Sequence, residues 1–98
     1  MIIAIYIKQM SEIDAALAQV KSRLHAVNFV SGTCYFAADA CRELKIHYNR
    51  QLKHIPQDEV CYFPKRDTVN VRPRHRVMVT ERGLRAFVEI AARKGKLP

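Results

Sequence analysis

The sequence predicts an α+β domain, small and single, in which short antiparallel hairpins pack with three to four helices. Three observations predict it. Its 98 residues give room for one core. Its 49% hydrophobic and 27% charged content is that of a globular chain, not a disordered one. Apolar spacing also switches along the chain between the unbroken runs of strands and the three-to-four step of helices.

Residues 2–7, IIAIYI, are β-branched and aromatic and read as a strand covered on both faces. At a sheet edge this strand would offer pairing to a second copy, making a homodimer. Ser11 reads as a helix cap with Asp14 in the capping-box position. Ile13, Leu17, Val20, Leu24 and Val27 then mark the stripe of a helix over residues 12–26, with Glu12, Lys21 and Arg23 off the stripe. Ser31-Gly32 signals a turn between short strands at 27–30 and 34–36.

Residues 37–45 read as a short helix with Ala40, Cys41 and Leu44 inward. Residues 47–55 read as a second, with Tyr48, Leu52 and Ile55 inward and Pro56 ending it. A strand at 58–63, a basic loop at 65–74 and a returning strand at 75–79 make the second hairpin. Thr80 caps a final helix over 81–93 with Leu84, Phe87, Val88 and Ala91 inward, and Gly95 stops it. The whole, 1–98, is one domain: a strand-helix extension at 1–28 and a region at 29–94 that carries the basic hairpin.

The formal net charge is +8, and its distribution is uneven. Residues 1–41 hold three basic and three acidic residues; residues 42–98 hold fourteen basic and six acidic. A neutral half joined to a strongly basic one points to a polyanion, with double-stranded DNA first. The alternative partner is an acidic protein. Two short helices around residues 45–47 resemble a helix-turn-helix, whose second helix would point His47, Asn49, Arg50, Lys53 and His54 outward. Asn and Arg suit base edges, and Lys suits phosphate.

The densest charge is Arg72, Arg74, His75 and Arg76, with Lys65 and Arg66 across the proposed hairpin. Such a cluster calls for a counter-charge, and a phosphate backbone supplies one. The nucleic-acid-binding set is therefore Asn49, Arg50, Lys53, Lys65, Arg66, Arg72, Arg74, His75 and Arg76.

No catalytic or metal residues are expected, and no cofactor. Cys34, Cys41 and Cys61 lack the close spacing of a zinc site and read as reduced thiols in a cytoplasmic protein. Phosphate-loop, nucleophile-elbow and zinc-protease patterns are absent from the sequence. Asp58, Glu59 and Asp67 could serve a metal-dependent nuclease, but they adjoin turns and read better as solvated caps. The apolar opening is too short for a secretory core and no stretch approaches a membrane span, so neither export nor a membrane partner is expected.

Cys34-Tyr35-Phe36-Ala37-Ala38-Asp39-Ala40-Cys41-Arg42-Glu43-Leu44 resembles the pattern W-F-x-A-x-D-V-C-x-x-L of the amino-terminal Bro-type domain of phage antirepressors. His54-Ile55-Pro56-Gln57-Asp58-Glu59 is similar to that family's acidic turn. Val77-Met78-Val79-Thr80-Glu81-Arg82-Gly83-Leu84 follows its closing strand and glycine-containing helix. The resemblance spans residues 29–90. It implies a phage or prophage regulator that binds DNA or disables a repressor. Phe36, Asp39, Cys41 and Leu44 match the first helix and Gly83 and Leu84 the last, all in structural roles; Asp39 would cap or brace a turn. Where the family has Leu-Gly-Tyr after the first helix, this chain has Leu44-Lys45-Ile46, so the glycine turn is expected to be lost.

Overall fold

The computed structural model describes residues 2–62 and 77–97. It forms a four-stranded antiparallel sheet with helices packed on it, as the α+β reading expects.

The opening departs from the expectation. Residues 2–7 are not a strand: one helix, α1, runs Ile2–Arg23 over 22 residues. The reason lies in the spacing. Ile3, Tyr6, Met10, Ile13, Leu17, Val20 and Leu24 continue a single three-to-four step without a Gly or Pro to break it. Extending an existing helix adds one hydrogen bond per residue fixed, and Ile lowers helix propensity only by a few tenths of a kcal/mol. Ser11 therefore sits inside the helix and not at its start. Asp14, expected in a capping box, instead accepts from the Arg85 guanidinium at 2.6 Å. The helix also stops earlier than expected, and Ala26 opens a strand.

Strands β1 (Ala26–Phe29) and β2 (Gly32–Phe36) pair with Phe29 opposite Gly32. Val30-Ser31 is thus a two-residue turn, and Gly32 takes a φ of +138° that a side chain would strain. Helix α2 (Ala37–Leu44) follows directly, burying Ala37, Ala40, Cys41 and Leu44.

The turn after α2 survives without its glycine. Lys45 adopts the left-handed conformation at φ 57°. Its N–H donates to the Arg42 carbonyl at 3.2 Å, and the Ile46 N–H to the Cys41 carbonyl at 3.0 Å. Those are the two bonds of a Schellman cap, and buried Ile46 supplies the hydrophobic contact that goes with it. The expected loss of the turn is corrected: the geometry persists with a lysine in a conformation that favours glycine.

Helix α3 is a single turn, Tyr48–Gln51, which tightens into a 3-10 turn at Leu52–His54. Ile55 and Gln51 are buried, while Tyr48 and Leu52 are half-buried. A second 3-10 turn, Gln57–Glu59, takes the place expected for the start of a strand; β3 covers Val60–Tyr62. Strand β4 covers Val77–Thr80. Phe63, His75 and Arg76, assigned to the second hairpin's strands, lie outside the described residues.

The sheet order is β1-β2-β4-β3. β4 pairs with β2, setting Cys34 opposite Thr80, Tyr35 opposite Val79 and Phe36 opposite Met78. The two hairpins are thereby joined into one sheet, with β2 and β4 central. Consecutive residues on these strands are buried, Cys34 with Tyr35 and Met78 with Val79, so both faces are covered there. Tyr35 and Val79 join the main core with Val20, Leu44, Leu84, Phe87 and Val88.

Helix α4 (Glu81–Arg93) is capped as expected, with the Gly83 N–H donating to Thr80 Oγ1 at 3.2 Å. Gly83 is needed there: a Cβ would meet Val79 Cβ at 2.8 Å and the Glu59 carbonyl at 3.1 Å. At the other end Gly95, φ +68°, closes a Schellman cap with Lys96 N–H donating to Ala91 O at 2.8 Å. Helix α1 runs antiparallel to α4, since Lys21 reaches Glu81 and Asp14 reaches Arg85.

Candidate nucleic-acid interface

The α2-turn-α3 unit is built by its caps. Lys45 turns the chain out of α2, and buried Ile46 anchors the turn to the core. The His47 carbonyl accepts from Arg50 N–H at 3.2 Å and Gln51 N–H at 3.0 Å, starting α3. With Ile46, Gln51 and Ile55 holding the inner side, His47, Asn49, Arg50, Lys53 and His54 are all exposed. Arg50 and Lys53 are three residues apart, so on a helical segment they leave by the same side. The helical segment is short, about 10–14 Å at ordinary helical rise. It offers a compact cationic edge with Asn49 beside it.

The ion pairs of the described residues lie away from this edge. Asp14 and Glu89 pair with Arg85 at 2.6 and 3.5 Å, Glu81 with Lys21 at 2.7 Å, Glu43 with Arg23 at 3.8 Å and Asp39 with Arg42 at 3.4 Å. Hydrogen bonding to Glu81 raises the Lys21 pKa, and hydrogen bonding to Asp14 raises that of Arg85. Among the described residues, Arg50 and Lys53 take part in no ion pair. Asp39 makes no side-chain cap at the start of α2; it faces Arg42 one turn on, in the acid-favouring first turn.

Of the expected binding set, Asn49, Arg50 and Lys53 are thus brought together on one exposed segment. Lys65, Arg66, Arg72, Arg74, His75 and Arg76 lie outside the described residues. Asp58, one of the acids considered for a nuclease, is exposed, and Glu59 accepts a hydrogen bond from the Thr80 hydroxyl instead. Asp67 also lies outside. Among the described residues no three His, Cys, Asp or Glu side chains converge as a metal site, and no helix is long and apolar enough to cross a membrane.

Two features went unread in the sequence. One is the Gly83–Thr80–Glu59 relay, in which the capping hydroxyl is itself anchored to the turn before β3. The other is an open cleft of about 540 Å³ beside it, lined by Leu17, Gly32, Cys34, Glu59, Thr80 and Arg82. Both depend on β4 lying between β2 and β3, which no local motif announces.

No protein-family model matches the chain, and no curated protein or solved structure matches it at a significant level.

Proposed function

We propose that this chain is a regulatory protein of the phage or prophage type that binds double-stranded DNA through the short helix α3 and the basic segment 65–76. The observation that carries this reading is the separation of charge. The whole +8 belongs to residues 42–98. Among the described residues the ion pairs use Lys21, Arg23, Arg42 and Arg85, while Arg50 and Lys53, like Lys45, Arg82, Arg93, Lys94 and Lys96, are exposed and in no ion pair. Cations held this way release counterions when they meet a phosphate backbone, so affinity falls steeply as salt rises. Asn49, beside Arg50, adds an amide suited to an adenine edge.

The test is fluorescence anisotropy of a labelled random duplex across a salt series, with wild type and an Arg72/Arg74/Arg76→Ala variant. Salt-sensitive binding with a shallower slope in the variant is expected. Binding that does not change between low and moderate salt would sink the reading.

The brevity of α3 favours a second reading, since one α-helical turn gives little length for reading bases. In it the cationic edge meets an acidic protein such as a repressor, in the manner of an antirepressor-like interaction module with no direct DNA role. Nuclease-resistant, saturable binding to that protein with only weak DNA affinity would select it.

A further inference from the structure

The three cysteines have no framework spacing, yet the sheet sorts them into a pair and a single. Cys34 stands opposite Thr80 on β4 and Cys61 opposite Met78. Thr80 and Met78 are two residues apart and share a face, so both thiols rise from the same face of the sheet. They meet across β4, with Sγ to Sγ at 3.1 Å. Cys34 is buried, Cys61 is half-buried, and the two are 27 residues apart in the chain. Cys41 belongs to the main core with the α2 face. It lies on the other side of the sheet from the pair, because Tyr35 and Val79, which alternate with Cys34 and Thr80, join that core.

We propose that Cys34 and Cys61 form a dithiol site that reacts with small anionic disulfides of the glutathione type and closes to an intramolecular disulfide. The approach route is the cleft that Cys34 lines; of its charged residues Glu59 is bonded to Thr80 and Glu81 paired with Lys21, while Arg82 is exposed and in no ion pair, free to meet a carboxylate. Cys34, as thiolate, attacks one sulfur of the small disulfide, and one small thiol leaves with a proton. The Cys61 sulfur, giving up its own proton, then attacks Cys34 Sγ and expels the second small thiol. Two protein S–H bonds and one small S–S bond are lost; one protein S–S bond and two small S–H bonds are gained. The protein loses two electrons and the small disulfide takes up two. The sulfurs already touch at 3.1 Å, and closing them to a bond of about 2.05 Å also draws the backbones of β2 and β3 toward each other over β4, since a disulfide holds its Cβ atoms about 3.8 Å apart. Burial, and then the neighbouring Cys34 thiol, push the Cys61 thiol up to about 12, which makes the second step slow at neutral pH without opposing its product. The bond ties β2 to β3 across the strand between them.

The reduced chain is refolded in a buffer of reduced and oxidised glutathione, so that access to the thiols is not limiting, and in parallel the folded protein is incubated in the same buffer. Peptide mapping, thiol counting and thermal melts are read on wild type, Cys41→Ala and Cys61→Ser. The expected result is a Cys34–Cys61 link in wild type and in Cys41→Ala. Free thiols in wild type fall from three to one, and Tm rises by about 5–15 °C, a gain that dithiothreitol reverses. Cys61→Ser should stop at a glutathione adduct on Cys34. Three free thiols after refolding, or links spread evenly over the three possible pairings, or a pairing through Cys41, would overturn the proposal.

Discussion

The α1–α4 contact and the short helix α3 of this molecule use the same charged residue types to opposite ends. On the first, Asp14, Lys21, Glu81, Arg85 and Glu89 form cross-helix and in-helix pairs at 2.6–3.5 Å. On the second, Arg50 and Lys53 stand exposed with no ion pair among the described residues. Exposed ion pairs contribute little to stability, typically under about 1 kcal/mol each. They engage Asp14, Glu81 and Glu89 with cations other than Arg50 and Lys53. Charge therefore says little about function until it is known which charges are already taken.

Helix α2 is held in place by its buried face more than by its charges. Cys41 is wholly buried in α2, and burial pushes its thiol up to about 12. The unfolded thiol ionises near 8.5. Between those values the folded state keeps a proton that the unfolded state has lost, so stability is complete below about pH 8 and falls as pH rises. Urea unfolding from pH 8 to 11 should show a decline, up to about 3 kcal/mol of it from Cys41, that is smaller in Cys41→Ala. Parallel curves for the two proteins would assign the decline to other groups.

The next effect bears on the open side itself. Arg50→Ala/Lys53→Ala should weaken duplex binding about tenfold at low salt and flatten the log–log salt slope by about 2. Its unfolding free energy should change by less than about 0.5 kcal/mol. A variant that melts early instead would move these residues from the interface to the scaffold. Lys45→Gly, at the cap between the two helices, should stabilise by about 1 kcal/mol in urea titration, because glycine takes a positive φ without the side-chain penalty.

Arg85→Ala, which removes the pairs to Asp14 and Glu89, has the smallest expected effect. It should lower stability by about 0.5–1 kcal/mol at low ionic strength, less at high salt, and leave duplex affinity unchanged. Equal loss of DNA binding in Arg85→Ala and in the α3 variant would erase the difference between the two sides.

Much of the fold was legible because its signals are local. Thr80 announces α4, Gly95 ends it, and Ser31-Gly32 places the first hairpin within a residue. Residues 2–7 were misread because a short run of β-branched residues fits both a strand and the extension of a neighbouring helix, and length decides between them. Lys45 was misread because residue identity stood in for backbone geometry: the bonds to Arg42 and Cys41 and the burial of Ile46 outweigh the strain of one positive φ. At the candidate site, the outward set of Asn49, Arg50 and Lys53 followed from the inward set on the same helical turns. The thiol pair was invisible because Cys34 and Cys61 meet only through a third strand.

That third strand has a consequence for how the chain is made. β4 is the last strand in the sequence, and it occupies the slot between β2 and β3. Until Val77–Thr80 leaves the ribosome, β3 has no neighbour in the sheet among the described residues, the edge of β2 that β4 takes is unfilled, and the core lacks Val79, Leu84, Phe87 and Val88. The earlier-made hairpin and helices have little to pack against while they wait, and their apolar faces stay open to other chains. The sheet thus completes in a single late closure, in which β4 enters the gap and α4 follows it onto the sheet.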